Sequence, residues 1–128
     1  MAKTILLIDD SADFIEIFSL KLKAAGFAIE TAENGAEALE KLKIVRPDLV
    51  LLDMEMPVMN GAEMLMKLRA DAALKDLKVA FLTNLGDPKQ ESAESDEKFA
   101  RDAGAVSYLR KTDDLDSITA KIQKIIDR

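Results

Sequence analysis

The stretch VLLDMEMPVMNG, residues 50–61, runs an apolar segment straight into a carboxylate. Residues 48–53 read as a strand, and Leu49-Val50-Leu51-Leu52 lacks the polar alternation of a half-exposed one. An unbroken apolar run of this length is the pattern of a parallel strand covered on both faces. Asp53 ends the run, and Pro57 and Asn60-Gly61 mark the loop that follows. An acid has no place inside such a strand, but it has one at the strand's carboxyl end. That end is where open α/β sheets bind ligands.

Outward from this segment the same unit recurs. Thr4–Ile8 is a second continuous apolar run, followed by Phe14, Ile17, Phe18, Leu22 and Ala25 at helical spacing, with Gly26 placed to end the helix. Phe27–Thr31 reads as a less apolar strand at a sheet edge. Asn34-Gly35 opens a helix with the face Ala38, Leu42 and Val45, stopped before Pro47. After the third strand comes a helix carrying Met64, Leu65 and Leu68. Val79–Thr83 is the fourth strand and 105–109, AVSYL, the fifth. The last helix shows Leu115, Ile118, Ile122 and Ile125 on one face, with Asp113 or Thr112 as its cap. GDPKQESAESDEK, residues 86–98, is polar and reads as a long loop with a short fourth helix running to about Ala103; its acidic part, 91–97, reads as a solvated face. Alternation of this kind predicts one α/β domain over 1–128, with a parallel sheet between two helical layers and right-handed crossovers.

Composition narrows the chemistry. The 128 residues contain no cysteine and no histidine. Thiolate and histidine-based catalysis and histidine- or cysteine-ligated metals are therefore excluded, and any bound metal takes oxygen ligands, as Mg²⁺ or Ca²⁺ does. A net charge of −6 argues against a direct nucleic-acid footprint. No apolar run approaches the roughly 20 residues of a membrane span. MAKTILLIDD lacks the form of a signal peptide, so the expected location is cytoplasmic.

Asp9 and Asp10 end the first strand and Asp53 the third. With strand order 2-1-3-4-5 those strands are neighbours at the switch point, and the three acids converge in one crevice. Carboxylates that close repel one another and lose water, a conflict that a divalent cation removes. Mg²⁺ uses one or two carboxylates, keeps waters and completes its shell with phosphate oxygens. Thr83, at the end of strand four, and Lys111, just past strand five, add a hydroxyl and an ammonium suited to phosphoryl oxygens. One carboxylate can then act as nucleophile and form an aspartyl phosphate.

Asp9-Asp10, LVLLDMEMPVMNG, FLT ending at Thr83 and GAVSYLRK ending at Lys111 together resemble the receiver domain of two-component response regulators, over essentially the whole chain. The resemblance implies a flavodoxin-like (βα)5 fold of the stand-alone, chemotaxis-receiver type. It implies that Asp53 is the phospho-acceptor, that Asp10 ligates Mg²⁺ directly with Asp9 assisting through water, and that the backbone carbonyl of Glu55 completes the protein's share of the shell. Thr83 and Lys111 would hold the phosphoryl oxygens, and Tyr108 would be the aromatic switch. The donor would be a phosphohistidine on a partner histidine kinase or phosphotransferase, because this chain has no histidine. Output would pass by partner binding through the face between the fourth strand and the fifth, last helix. The chain would be no enzyme beyond its own phosphorylation and dephosphorylation.

Three positions depart from the family pattern. Asn84 stands where a small residue usually follows the strand-four hydroxyl, and its amide would narrow access to the phosphoryl group or bond to it. Thr112 stands where proline usually follows the lysine, and the segment after Thr83 is longer than usual. Other readings fit less well. A constitutive interaction module of the same fold has only Asn84 and Thr112 in its favour. An aspartate-nucleophile phosphatase needs an Asp where Glu55 stands, and an FMN binder would not carry DDSAD after strand one. The methionines Met54, Met56, Met59, Met64 and Met66 suit loop and core packing better than a thioether copper site.

Overall fold

A computed structural model describes residues 2–54, 61–83, 107–111 and 113–127. In chain order these form β1 (Thr4–Ile8), α1 (Ala12–Ala24), β2 (Ala28–Ala32), α2 (Gly35–Lys41), β3 (Leu49–Asp53), α3 (Gly61–Ala70), β4 (Val79–Thr83), β5 (Ser107–Arg110) and α4 (Leu115–Asp127), the last helix. The five strands make one sheet in the order β2-β1-β3-β4-β5, and every pairing is parallel. The expected order and edge strand are therefore observed. The helix expected between Thr83 and Ala103 lies outside the described residues.

Strand composition explains the layering. Residues of β1, β3 and β4 are buried on both faces, so each strand contributes alternately to two cores. One core joins Leu6, Ile8, Val50, Leu52 and Phe81 to Ala38 and Leu42 near α2 and to Met64, Leu65 and Leu68 of α3. The other joins Ile5, Leu7, Leu49, Leu51 and Leu82 to Phe18 and Leu22 of α1 and to Ile118, Ile122 and Ile125 of α4. Met54 and Met64 are core packing, whereas Met66 is exposed.

Helix ends follow local chemistry. The Ser11 side chain accepts a hydrogen bond from the Phe14 N–H and caps α1. Asn34 does the same for α2 through the Glu37 N–H at 2.8 Å. At the far end of α1, Gly26 takes φ 101°; its N–H bonds to the Lys23 carbonyl and the Phe27 N–H to the Leu22 carbonyl. That pair of bonds is the Schellman termination expected from Gly26.

Two sequence expectations need correction. Ile17 is 59% exposed and Ala25 is exposed, because the buried stripe of α1 runs through Phe14, Phe18 and Leu22 and leans toward Ile15 and Ser19, turning Ile17 to solvent. The last helix begins at Leu115, and the Asp114 carbonyl accepts the first helical bond from the Ile118 N–H at 3.0 Å. Asp114 rather than Asp113 therefore stands at the position before the helix, and the Thr112 alternative lies outside the described residues.

Gly61 starts α3 where the chain passes closest to the end of β3. Its N–H donates to the Met54 carbonyl at 3.1 Å. A Cβ at this position would lie 2.5 Å from the Asp53 carbonyl oxygen and 2.9 Å from both Met54 Cα and the Phe81 ring. Two of these neighbours are backbone and cannot turn away. Gly61→Ala is therefore expected to cost about 1–3 kcal/mol, the range for forced overpacking, read as a lower urea midpoint. A variant as stable as the parent would show that the turn after β3 opens freely.

Candidate functional site at the carboxyl ends of the strands

Parallel register brings the chemical groups together. Ile8 pairs with Leu52, so the next residues, Asp9 and Asp53, stand level at the ends of β1 and β3. Asp53 pairs with Leu82, which places Thr83 one step beyond on β4. The Lys111 N–H donates to the Thr83 carbonyl at 2.8 Å, continuing the β4–β5 ladder past Arg110. Four strand ends thus present an acid, an acid, a hydroxyl and an ammonium along one rim.

Burial sorts the acids. Asp9, Asp53 and Thr83 are buried at 0%, 1% and 0% exposure, whereas Asp10 faces solvent. Asp9 is fixed through its backbone N–H, which donates to the Ala32 carbonyl at 3.0 Å, and through Oδ1, which accepts from the Ser11 N–H at 2.8 Å. Asp9 therefore also closes the turn into α1, where the helix N-terminus favours negative charge. Its other oxygen, Oδ2, lies 2.5 Å from Lys111 Nζ but makes no aligned hydrogen bond among the described residues. Lys111 Nζ also lies 3.5 Å from Asp53 Oδ2, and the lysine side chain is only 8% exposed. The Lys111 ammonium thus faces two buried carboxylates.

The lysine has a third neighbour that sequence reasoning misses. Its Nζ sits 4.6 Å from the centre of the Phe14 ring. Phe14 in turn stacks on the fully buried Phe18 at 5.0 Å between ring centres, with 17° between planes. Helical spacing places Phe14 only on the buried stripe of α1. The available signal is its position one helical turn after Asp10, in the first turn of α1.

The acids fit a hard cation. One carboxylate oxygen from each of Asp9, Asp10 and Asp53 falls within 4.8 Å of the others. Asp9 Oδ2 is buried, with no aligned hydrogen bond among the described residues beside its ion pair with Lys111, and is an acceptor that such an ion could share. Oxygen-only donors of this kind suit Mg²⁺. Of the remaining sequence candidates, Tyr108 lies on β5 but its side chain is outside the described residues, as are Glu55, Asn84 and Thr112 entirely. Among the described residues no helix is long and apolar enough to cross a membrane.

Because Lys111 faces both acids, its loss exposes their repulsion. Lys111→Met is expected to lower unfolding free energy by about 3–5 kcal/mol, the cost of stranding a buried charge. Adding Asp9→Asn to that chain should restore part of the loss in urea unfolding. Equal stability of parent and Lys111→Met would mean that water already screens the pocket.

Comparison with known proteins agrees with this geometry. The family model described as "Response regulator receiver domain" matches residues 5–123. The DNA-binding dual master transcriptional regulator RpaA of Synechocystis sp. is 30% identical over 124 residues, covering 97% of this chain and 49% of that protein. The transcriptional regulatory protein CrdR of Helicobacter pylori is 34% identical, covering 97% of this chain and 55% of that protein. The chain spans about half the length of the curated relatives it matches. Among solved structures, the chemotaxis response regulator CheY4 of Vibrio cholerae superposes with a TM-score of 0.85 at 28% identity, covering 98% of this chain and 99% of that one. A response regulator from Chloroflexus aurantiacus, described as putative, reaches 0.88 at 27% identity over 100% of both chains.

Proposed function

The chain belongs to the response regulator receiver domain family, and from that premise we propose that Asp53 is its phospho-acceptor in a Mg²⁺-dependent reaction. One observation carries the assignment. Asp53 ends a fully buried strand with its carboxylate turned to the rim, where Lys111 Nζ lies 3.5 Å away and Asp9 and Asp10 offer oxygens within 4.8 Å. A structural strand-end acid has no need of that company.

The donor is a phosphohistidine on a histidine kinase or phosphotransferase, a group this chain does not itself contain. An Asp53 carboxylate oxygen attacks the phosphorus and the bond from phosphorus to the donor imidazole breaks. A mixed anhydride remains on Asp53 until water releases inorganic phosphate. Asp10 directly and Asp9 through water, with Asp53 and the Glu55 carbonyl, would hold Mg²⁺, which would neutralise charge on the transferring phosphoryl oxygens. Lys111 and the Thr83 hydroxyl contact the same oxygens, and fixed donors of this kind need no rearrangement as charge develops. Asn84 modulates access, and Tyr108 with Thr83 carries the change to the face of β4, β5 and α4, where an output partner binds. Its chemistry is confined to its own phosphorylation and dephosphorylation, and it contacts neither nucleic acid nor membrane directly. The constitutive-module reading is not favoured, since the family's acid set is intact and both residues in its support lie outside the described structure.

Intact-mass measurement after incubation with Mg²⁺ and acetyl phosphate tests the assignment. The expected result is one added phosphoryl group on the parent, none on Asp53→Asn, and none when the metal is chelated. Equal labelling of parent and Asp53→Asn would overturn it.

A further inference from the structure

We propose that Phe14 is a positioning residue for Lys111, holding the ammonium beside Asp53 through the face of its ring. The inference rests on the function proposed for Asp53 and Lys111 and adds a member to that site.

Lys111 reaches the pocket from the end of β5, on a side chain with four rotatable carbons and a point charge at its tip. Its described contacts there are three: Asp9 Oδ2 at 2.5 Å, Asp53 Oδ2 at 3.5 Å and the Phe14 ring at 4.6 Å. The two carboxylates are also the groups that a hard cation or a phosphoryl group engages, so neither is a dedicated partner for the lysine. The ring carries no oxygen. It attracts the ammonium through its quadrupole and leaves Asp9 and Asp53 to other ligands.

The ring is also held in place. Phe14 stands in the first turn of α1, its N–H bonded to the capping Ser11 side chain. Behind it Phe18 is fully buried in the core and stacked nearly parallel. A phenylalanine serving only as packing would be satisfied by contact with Phe18. This one presents its face to an ammonium that is itself almost wholly removed from water. Cation–π attraction strengthens when the cation is desolvated, which is the case at 8% exposure.

The test uses the full chain in three forms: Phe14→Tyr, Phe14→Leu, and a protein carrying 3,4,5-trifluorophenylalanine at position 14. The last keeps the ring's shape and packing while removing most of the negative charge from its face. Rates of labelling by acetyl phosphate at saturating Mg²⁺ are read by intact mass. The Lys111 side-chain methylene proton shifts are read by NMR, and the melting temperature checks the fold. Phe14→Leu and the trifluoro protein should label about three- to thirty-fold more slowly than the parent, the span of a cation–π contact. Phe14→Tyr should stay within about twofold. The upfield ring-current shift on Lys111 should persist in Phe14→Tyr and disappear in Phe14→Leu.

A trifluoro protein that labels as fast as the parent would overturn the proposal, as would a Phe14→Tyr protein as slow as Phe14→Leu. Should the parent itself take up no phosphoryl group, the proposed function fails. The positioning role then stands or falls on the Lys111 shifts in Phe14→Tyr and Phe14→Leu. If Phe14→Leu does not fold, the trifluoro protein alone decides.

Discussion

Two carboxylates, Asp9 and Asp53, are held at 0% and 1% exposure in one crevice, and the structure around them is arranged to tolerate that. Buried acids of like charge repel one another. Here Asp9 is tied by the Ser11 N–H, and both acids face the Lys111 ammonium. The stability that permits this comes from the two cores above and below the sheet, where β1, β3 and β4 bury side chains on both faces. The site spends none of that apolar area, because its acids begin where the strands end.

Register is the mechanical link between core and site. Side chains alternate along a strand, so a slip of one residue in β3 would turn Asp53 out of the crevice and reverse every core contact of Leu49 to Leu52. With both faces buried, such a slip gains nothing on either side. The same pairing that fills the cores therefore fixes Asp9 level with Asp53 and Thr83 one step beyond. The site's register is inherited from apolar packing, and polar contacts then fix its side chains.

Much of this is legible in the sequence because the signals are local. An apolar run ending in an acid declares both a buried strand and its carboxyl end, and the expected sheet order brings Asp9, Asp10 and Asp53 together. What escapes depends on how helices rotate against the sheet. Periodicity gives α1 a buried stripe but not its setting, so it turns Ile17 inward although that residue is 59% exposed. The same ambiguity hides the contact of Phe14 with Lys111, residues near opposite ends of the chain and far apart in sheet order. Gly61 reads as a turn former; that its missing Cβ makes room for the Asp53 carbonyl depends on a distance no pattern encodes. The cap of α4 shifts to Asp114 because acids of similar capping chemistry at 113, 114 and 116 leave the start ambiguous by a residue.

The departure at Thr112 weighs less once the supports of Lys111 are separated. A proline after the lysine would constrain the lysine's backbone. In this chain the root of Lys111 is already set by its N–H bond to the Thr83 carbonyl, a continuation of the β4–β5 ladder. That bond also ties together the two residues assigned to the phosphoryl oxygens, so neither can shift along its strand without the other. The tip of the side chain is set separately, by Asp9, Asp53 and the stacked ring of Phe14. A flexible side chain anchored at its root and held on several sides at its tip has little freedom left for the following residue to restrict. The lysine's placement is therefore a property of four strand ends and one helix.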